Sequence, residues 1–359
     1  MSLKDTFLKP IRLLLHWKQK HPLASFVVQR SFGIVTMLLV LGLAVFGLMS
    51  LAPGDIVDSY VKSQMFSDSN FRRADNQYTE EAIASYKAIL LLDKPFWVQY
   101  GAWLGRVIQG DLGRSLINRA PVAFLMADRM RNSLILNLIS LVILTLASFA
   151  VAISLSRKAG TRVDMVAGFF GLFFHAFPSL LLLILLQLFA SWSGLFPVTA
   201  YPSFPFNENP VGFSFSYLHH IFLPLFAAFI GGIGGTMRMV RATMLDQLGQ
   251  PYITALRSRG VSEKRITYAH AFRNTMNPFI TSSSNLLAGL FSGSLILEII
   301  FSYPGLGRLM YEAVRQEDIN LVVTNLMFTS VLILVGMLIS DILLALVDPR
   351  IRYSSRPSE

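Results

Sequence analysis

An all-α polytopic membrane protein with six transmembrane helices is what this sequence encodes, and three observations say so. Of 359 residues, 53% are hydrophobic and only 14% are charged, against roughly 25% charged in soluble domains. Apolar runs of about 20 residues, long enough to cross a bilayer, recur along the chain. Lys and Arg gather in alternate connections. Arg157, Lys158 and Arg162 lie in one and Arg238, Arg241, Arg257, Arg259, Lys264, Arg265 and Arg273 in another, whereas 191–220 contains neither residue type. That alternation assigns both termini and the basic loops to the cytoplasm. The net charge of +10 belongs to those loops rather than to a nucleic-acid surface. With no cysteine, disulfides, thiol nucleophiles and thiolate metal sites are excluded.

Residues 1–30 form a basic cytoplasmic leader, with Lys4, Lys9, Arg12, Lys18, Lys20 and Arg30 against Asp5. Phe7, Leu8, Ile11, Leu14 and Leu15 recur at helical spacing, which suits an interfacial helix; a loosely ordered tail is the competing reading. Residues 31–51 hold the first span. Its apolar run exceeds the roughly 7–15 residues of a cleavable signal core, and Pro53 follows, so it reads as an uncleaved anchor. Residues 52–131 form a long extracytoplasmic loop in which Thr79 can cap a short helix. Gly110 and Gly113 there predict a tight turn around Asp111. Residues 132–347 supply a five-helix core with spans at 134–155, 168–190, 221–240, 283–301 and 321–347. The third of the six spans carries His175 and Pro178 in its interior. A Pro-, Phe- and Asn-rich loop runs to about His220, and a cytoplasmic tail occupies 348–359.

The coupling between the fourth and fifth spans, residues 245–280, is the most informative stretch. Pro251 suits the first turn of a short helix, where its missing N–H costs nothing. Ile253 and Leu256, three apart, give that helix an apolar edge. Gly260 supplies a left-handed stop. Ser262 is placed to cap a second helix, which carries Lys264 and Arg265 and ends before Asn277-Pro278. Helix, glycine turn, helix is a shape for gripping a partner, although a basic loop stapled to anionic lipid would share its charge.

Tyr252, Ala255, Arg257, Gly260, Ser262, Glu263, Arg265, His270, Ala271, Arg273, Asn274 and Pro278 fall in the order and spacing of the "EAA" loop. The chain therefore resembles the permeases of binding-protein-dependent ABC importers, most closely those of the dipeptide/oligopeptide (peptide/nickel) family. Further blocks agree: Ala52-Pro53-Gly54-Asp55, Asp93-Lys94-Pro95 through Gln99-Tyr100, Gly110-Asp111-Leu112-Gly113, Phe196-Pro197-Val198, Phe301-Ser302-Tyr303-Pro304-Gly305-Leu306-Gly307 and Asp348-Pro349-Arg350. Thr254-Ala255-Leu256 departs from the motif by standing where Glu-Ala-Ala would be. The resemblance implies a type I importer permease architecture and a heterodimer with a second homologous permease. It also implies two ABC ATPase subunits, which would bind the ATP and Mg, and an extracytoplasmic solute-binding protein. This chain would then be a non-catalytic subunit of the inner membrane with no cofactor of its own. Tyr252, Ile253, Ala255, Leu256, Arg257, Arg259, Gly260, Ser262, Glu263 and Arg265 would couple it to the ATPases. Glu298, Tyr303, Pro304 and Gly305 would shape an outer gate or the translocation path. Peptides are the expected cargo; nickel chelates and oligosaccharides are the alternatives within the family.

Other chemistries find little support. The glycine cluster Gly231-Gly232-Ile233-Gly234-Gly235 lies inside a span and lacks the lysine of a phosphate-binding loop, so it predicts close helix approach. No HExxH, GxSG or GxGD pattern falls within a span, which argues against an intramembrane enzyme. A secondary transporter would show repeat-related broken helices, and the halves of this chain are not alike. Glu298 reads as a buried hydrogen-bonded carboxylate ahead of a contact for a peptide amine. His175 reads as a packed histidine beside a proline kink ahead of a proton relay. His219-His220 lacks a third metal ligand.

Overall fold

Every regular element among the described residues is helical, apart from one isolated bridge between Arg114 and Pro121. The computed structural model describes residues 22–51, 94–115, 120–281, 294–316 and 318–347. The helices are α1 (Pro22–Leu51), α2 (Phe96–Ile108), α3 (Val122–Ser156), α4 (Arg162–Ala176), α5 (Ser179–Ser193), α6 (Pro210–Leu248) and α7 (Pro251–Ser258). After them come α8 (Glu263–Arg265), a π-helical stretch Ile266–Ala271, α9 (Phe272–Thr281), α10 (Leu295–Ile300), α11 (Leu306–Arg315) and α12 (Ile319–Val347). α1, α3, α6 and α12 are each long and apolar enough to cross a membrane, and the bent pair α4–α5 makes up to five. The expected leader helix, the first part of the outer loop with the helix capped by Thr79, most of the 283–301 span and the C-terminal tail lie outside the described residues.

Several boundaries differ from expectation. α1 already includes residues 22–30, which the sequence assigns to the leader. α3 starts at Val122, so the end of the expected 52–131 loop is already helix, extending the span beyond its apolar part. α6 starts at Pro210, inside the expected 191–220 loop, because the Asn209 side chain accepts the Gly212 N–H at 2.9 Å and caps it. The third span is not one helix with a kink. α4 and α5 meet at 93°, since Pro178 drives Phe177 into an extended conformation (φ −71°, ψ 130°).

Two compact units make up the described chain. The first gathers α1, α2, the start of α3 and residues 309–338. Its core is Val45, Trp103 and Val323, with Leu41, Phe96, Tyr100, Val107 and Met327 around them. The turn after α2 has Gly110 and Gly113 at positive φ, with the Gly113 N–H donating to the Asp111 carboxylate at 2.9 Å, as the sequence predicts. It is tied to α12 by Asn320 donating to the Arg114 carbonyl at 2.6 Å and by a Ser115–Asp318 hydrogen bond.

The second unit contains residues 130–308 and 339–347, and here α3 and α6 support two separate apolar clusters. One joins Leu136, Leu183, Ile221, Ala227, Leu297, Phe301 and Tyr303. The other joins Ala152, Ile153, Met237, Val240, Met244, Ile253, Ile266 and Ala271. At 1.5 Å per residue, Leu136 and Leu155 of α3 stand roughly 28 Å apart, about the hydrocarbon thickness of a bilayer. Between them α4 crosses α6 so closely that a Cβ on Gly234 would overlap the Gly171 carbonyl. That contact is the close approach expected of the glycine cluster. The two candidate sites lie at opposite ends of these helices.

Candidate functional site

The first site is the 245–280 connection. α7 begins with Pro251 in its first turn and ends at Ser258, with Arg259 as its C-cap. Ile253 is fully buried, in the cluster made by the ends of α3 and α6, with Tyr252, Leu256 and Val261 packed at its margin. Gly260 has φ +74°. Its N–H donates to the Arg257 carbonyl at 2.9 Å, and the Val261 N–H donates to the Leu256 carbonyl at 3.1 Å. These two bonds, with Leu256 and Val261 meeting in one cluster, form a complete Schellman cap with glycine at the left-handed position. Leu256, the departure from the family motif, therefore belongs to the stop itself.

Across the turn, Arg257 donates to both Glu263 oxygens, at 2.6 and 3.2 Å. The pair is exposed, at 46% and 58%, so it adds little stability but sets the angle between α7 and α8. The guanidinium beside it holds the Glu263 carboxyl below its usual range, and the same hydrogen bond raises the Arg257 pKa. Ser262 stands at the N-cap of α8, yet its side chain makes no capping bond; the Ser262 carbonyl instead accepts the Ile266 N–H at 2.9 Å. Nor does the second helix end before Asn277-Pro278. It widens into the π-helical stretch and continues as α9 to Thr281. Packing overrides the proline signal: Thr275 donates to the Met244 sulfur at 3.1 Å, and Asn274 donates to the Tyr252 hydroxyl at 3.1 Å, which donates to Gln247 at 3.1 Å.

The predicted coupling residues thus divide. Tyr252, Ile253 and Leu256 hold α7 to the body, whereas Ala255, Arg257, Arg259, Gly260, Ser262, Glu263 and Arg265 are exposed. Thr254 and Ser258 are exposed too, so the free face of α7 is built from small side chains flanked by arginines.

The second site is the turn between α10 and α11. Glu298 has no exposed surface. One carboxylate oxygen accepts the Ser133 hydroxyl at 2.8 Å and the other the Arg308 N–H at 3.0 Å. The Ser133 oxygen in turn accepts the Leu306 N–H at 2.8 Å. A Cβ at Gly305 would overlap the carboxylate, so only glycine lets the turn close over it. Tyr303 is also fully buried; its hydroxyl donates to the Asn132 carbonyl at 2.7 Å and meets the Tyr217 hydroxyl at 2.9 Å. Asn132 donates to the Pro304 carbonyl at 3.0 Å, Gln187 to the Ile300 carbonyl at 2.6 Å, and Arg308 to the Ser302 carbonyl at 2.6 Å. Ser302 sits at φ +52°, a conformation costly outside glycine and held here by its surroundings. Glu298, Tyr303, Pro304 and Gly305 are brought together as a clasp, then, but Glu298 and Tyr303 have no surface left to touch a peptide amine, and only Pro304 of the four is partly exposed.

Asn132, Ser133, Gln187 and Tyr217 complete this clasp without standing out in the sequence. Their one sequence signal is polarity at the ends of apolar spans. The pairing of Arg241 with Asp164, where Nε and Nη2 each donate at 2.6 Å, is equally unmarked. It ties α4 to α6, with Asp164 only 6% exposed and its carboxylate also accepting the Gly160 N–H at 3.0 Å. His175 lies beside the α4–α5 break with its ring next to Gly235, but it is exposed rather than packed as the sequence leads one to expect.

Known proteins are similar to this chain in sequence. Residues 144–353 match the family described as binding-protein-dependent transport system inner membrane component. The chain is 31% identical over 338 residues to the oligopeptide transport system permease protein AppB of Bacillus subtilis, covering 92% of this chain and 100% of that one. It is 34% identical over 295 residues to the inner membrane ABC transporter permease protein YejB of Escherichia coli O157:H7, covering 81% of each. It is 29% identical to the dipeptide transport system permease protein DppB of Lactococcus lactis, over 73% of this chain and 82% of that protein. On this match, and with apolar helices that make it a multi-pass membrane protein, the chain belongs to the binding-protein-dependent transport system inner membrane components.

Proposed function

We propose that this chain is one transmembrane permease subunit of a peptide importer, moving peptides inward across the cytoplasmic membrane without catalysing a reaction itself. Its partners are a second homologous permease, two ABC ATPase subunits carrying the ATP and Mg, and an extracytoplasmic solute-binding protein. Both termini and the 245–280 connection face the cytoplasm. Relatives named for oligopeptide and dipeptide transport support the cargo. The observation that carries the reading is α7 itself: one edge is locked onto the ends of α3 and α6, the other is small, exposed and rimmed by Arg257 and Arg259.

ATP binding draws the ATPase subunits together and displaces α7. Because Ile253 is buried among residues of α3 and α6, those helices move with it, biasing the spans between inward-open and outward-open arrangements through differential contacts. The clasp around Glu298, Tyr303, Pro304 and Gly305 holds the gate at the opposite end.

The test is affinity purification of the tagged chain in mild detergent, followed by mass spectrometry, ATPase assay and peptide uptake in proteoliposomes. Co-purifying ATPase subunits and vanadate-sensitive hydrolysis are expected. Gly260→Pro removes the N–H bonded to Arg257 and cannot adopt φ +74°; it should leave assembly intact while lowering uptake about tenfold or more. A homogeneous single chain that moves solute with no ATPase would replace this reading with a secondary transporter.

A further inference from the structure

α2 lies in what the sequence presents as a polar outer loop, yet its thirteen residues sort into three faces at helical spacing. Phe96, Tyr100, Trp103 and Val107 form the packing face, in or around the core of the first unit. Gln99 and Arg106, continued by the C-cap Gln109, line a mainly polar face that also carries Ala102 and the exposed Val98; Arg106 and Gln109 are exposed. Trp97, Gly101 and Ile108 form a third, open face, bordered by Leu104, which packs against the core; Trp97 and Ile108 leave 68% and 77% of their surfaces uncovered. At about 100° per residue the polar and open apolar faces point in nearly opposite directions.

The contacts of the packing face set the depth of the helix. The Tyr100 hydroxyl donates to the Leu39 carbonyl at 3.0 Å, and Trp103 packs with Val45 and Val323. Gly42 opens the space: a Cβ there would come within 3.2 Å of both the Tyr100 oxygen and Met327. Leu39, Gly42 and Val45 belong to the apolar stretch Val27–Val45 of α1, and Val323 and Met327 to Asn320–Ile342 of α12. A helix anchored at those residues presents Trp97 and Ile108 to the medium that surrounds the same part of the spans.

The geometry points to α2 as a membrane-interface helix, with Trp97 and Ile108 seated in the lipid of the leaflet nearest the C-terminus of α1 and Arg106 and Gln109 turned to water. Aromatic residues with one polar atom favour that boundary, and an apolar face opposite a polar one is the form such a helix takes. The chain is thereby fastened to the bilayer surface between its first two spans, and α2 splints α1 against α12.

The absence of native cysteine makes the test direct. Single cysteines at Trp97, Ile108, Arg106 and Gln109 are spin-labelled in the complete importer reconstituted into liposomes. Collision with oxygen is compared with collision with a water-soluble nickel complex. Oxygen-to-nickel ratios at least about fivefold higher at 97 and 108 than at 106 and 109 are expected of a helix at the interface. Equal, nickel-accessible labels at all four sites would make α2 a solvated loop helix. Labels at 97 and 108 shielded from both reagents would assign that face to a protein partner. Either result overturns the proposal, and Ile108→Cys alone decides it should Trp97→Cys fail to assemble.

Discussion

The two ends of α3 and α6 are built in opposite ways. At one, a carboxylate and a tyrosine are closed off completely beneath a proline–glycine turn, both oxygens of Glu298 engaged, by the Ser133 hydroxyl and the Arg308 N–H. At the other, α7 is half buried and half bare, held by one isoleucine, a glycine cap and a tyrosine bridge. A sealed polar network sets one geometry and tolerates no vacancy; a helix docked on one edge leaves its other edge to be pushed. The contrast is that between a fixed point and a point of contact.

Breaking the sealed end should cost most. Glu298→Ala abandons the Ser133 hydroxyl and the Arg308 N–H inside the protein, at about 1–3 kcal/mol for each buried donor left unpaired. The melting temperature and the monodisperse yield in detergent should fall together; a variant as stable as the parent would show that the clasp is not what holds the turn. Ile253→Ala should rank second, at about 2–5 kcal/mol for a fully buried isoleucine. Its particular effect is to loosen α7 while the clasp stays intact, read as faster hydrogen exchange in 251–258 with 298–308 unchanged.

The smallest effect sharpens the comparison, because it touches only the open end. Glu263 titrates below its ordinary 4.5 through its bond to Arg257. The stabilisation is fully present above that ordinary value and is lost as pH falls through the lowered one. Exchange protection of 256–262, corrected for intrinsic rates, should therefore drop on going from about pH 6 to about pH 3 and be flat in Glu263→Gln. Protection that rises with acid would reverse the sign and refute the pairing.

Local grammar made much of the open end legible. Pro251, Ile253, Leu256 and Gly260 each act within a few residues of themselves, so spacing alone finds a first turn, an apolar edge and a left-handed stop. The clasp was only half legible: Glu298 and the 301–307 block stand out, but Asn132, Ser133 and Tyr217 join them from elements more than 80 residues away in sequence. Such pairings leave no period behind. The Asp164–Arg241 pair escaped for the same reason. The break at Pro178 was misjudged in degree, since proline announces an interruption without announcing its angle. The π-helical stretch 266–271 has no residue type that marks it.

α6 runs unbroken for 39 residues, through Pro224, from Pro210 to Leu248. At 1.5 Å per residue that is a rod of about 58 Å, with Met244 among the residues that grip α7 and Tyr217 touching Tyr303. Mechanically it is a lever whose two ends are both loaded. Tyr217 and Met244 stand about 40 Å apart along it, so a tilt of only about 5° about one carries the other through about 3.5 Å. A modest swing at the glycine-capped helix therefore reaches Tyr303 as a displacement larger than a 2.9 Å hydroxyl–hydroxyl bond, enough to unlatch it.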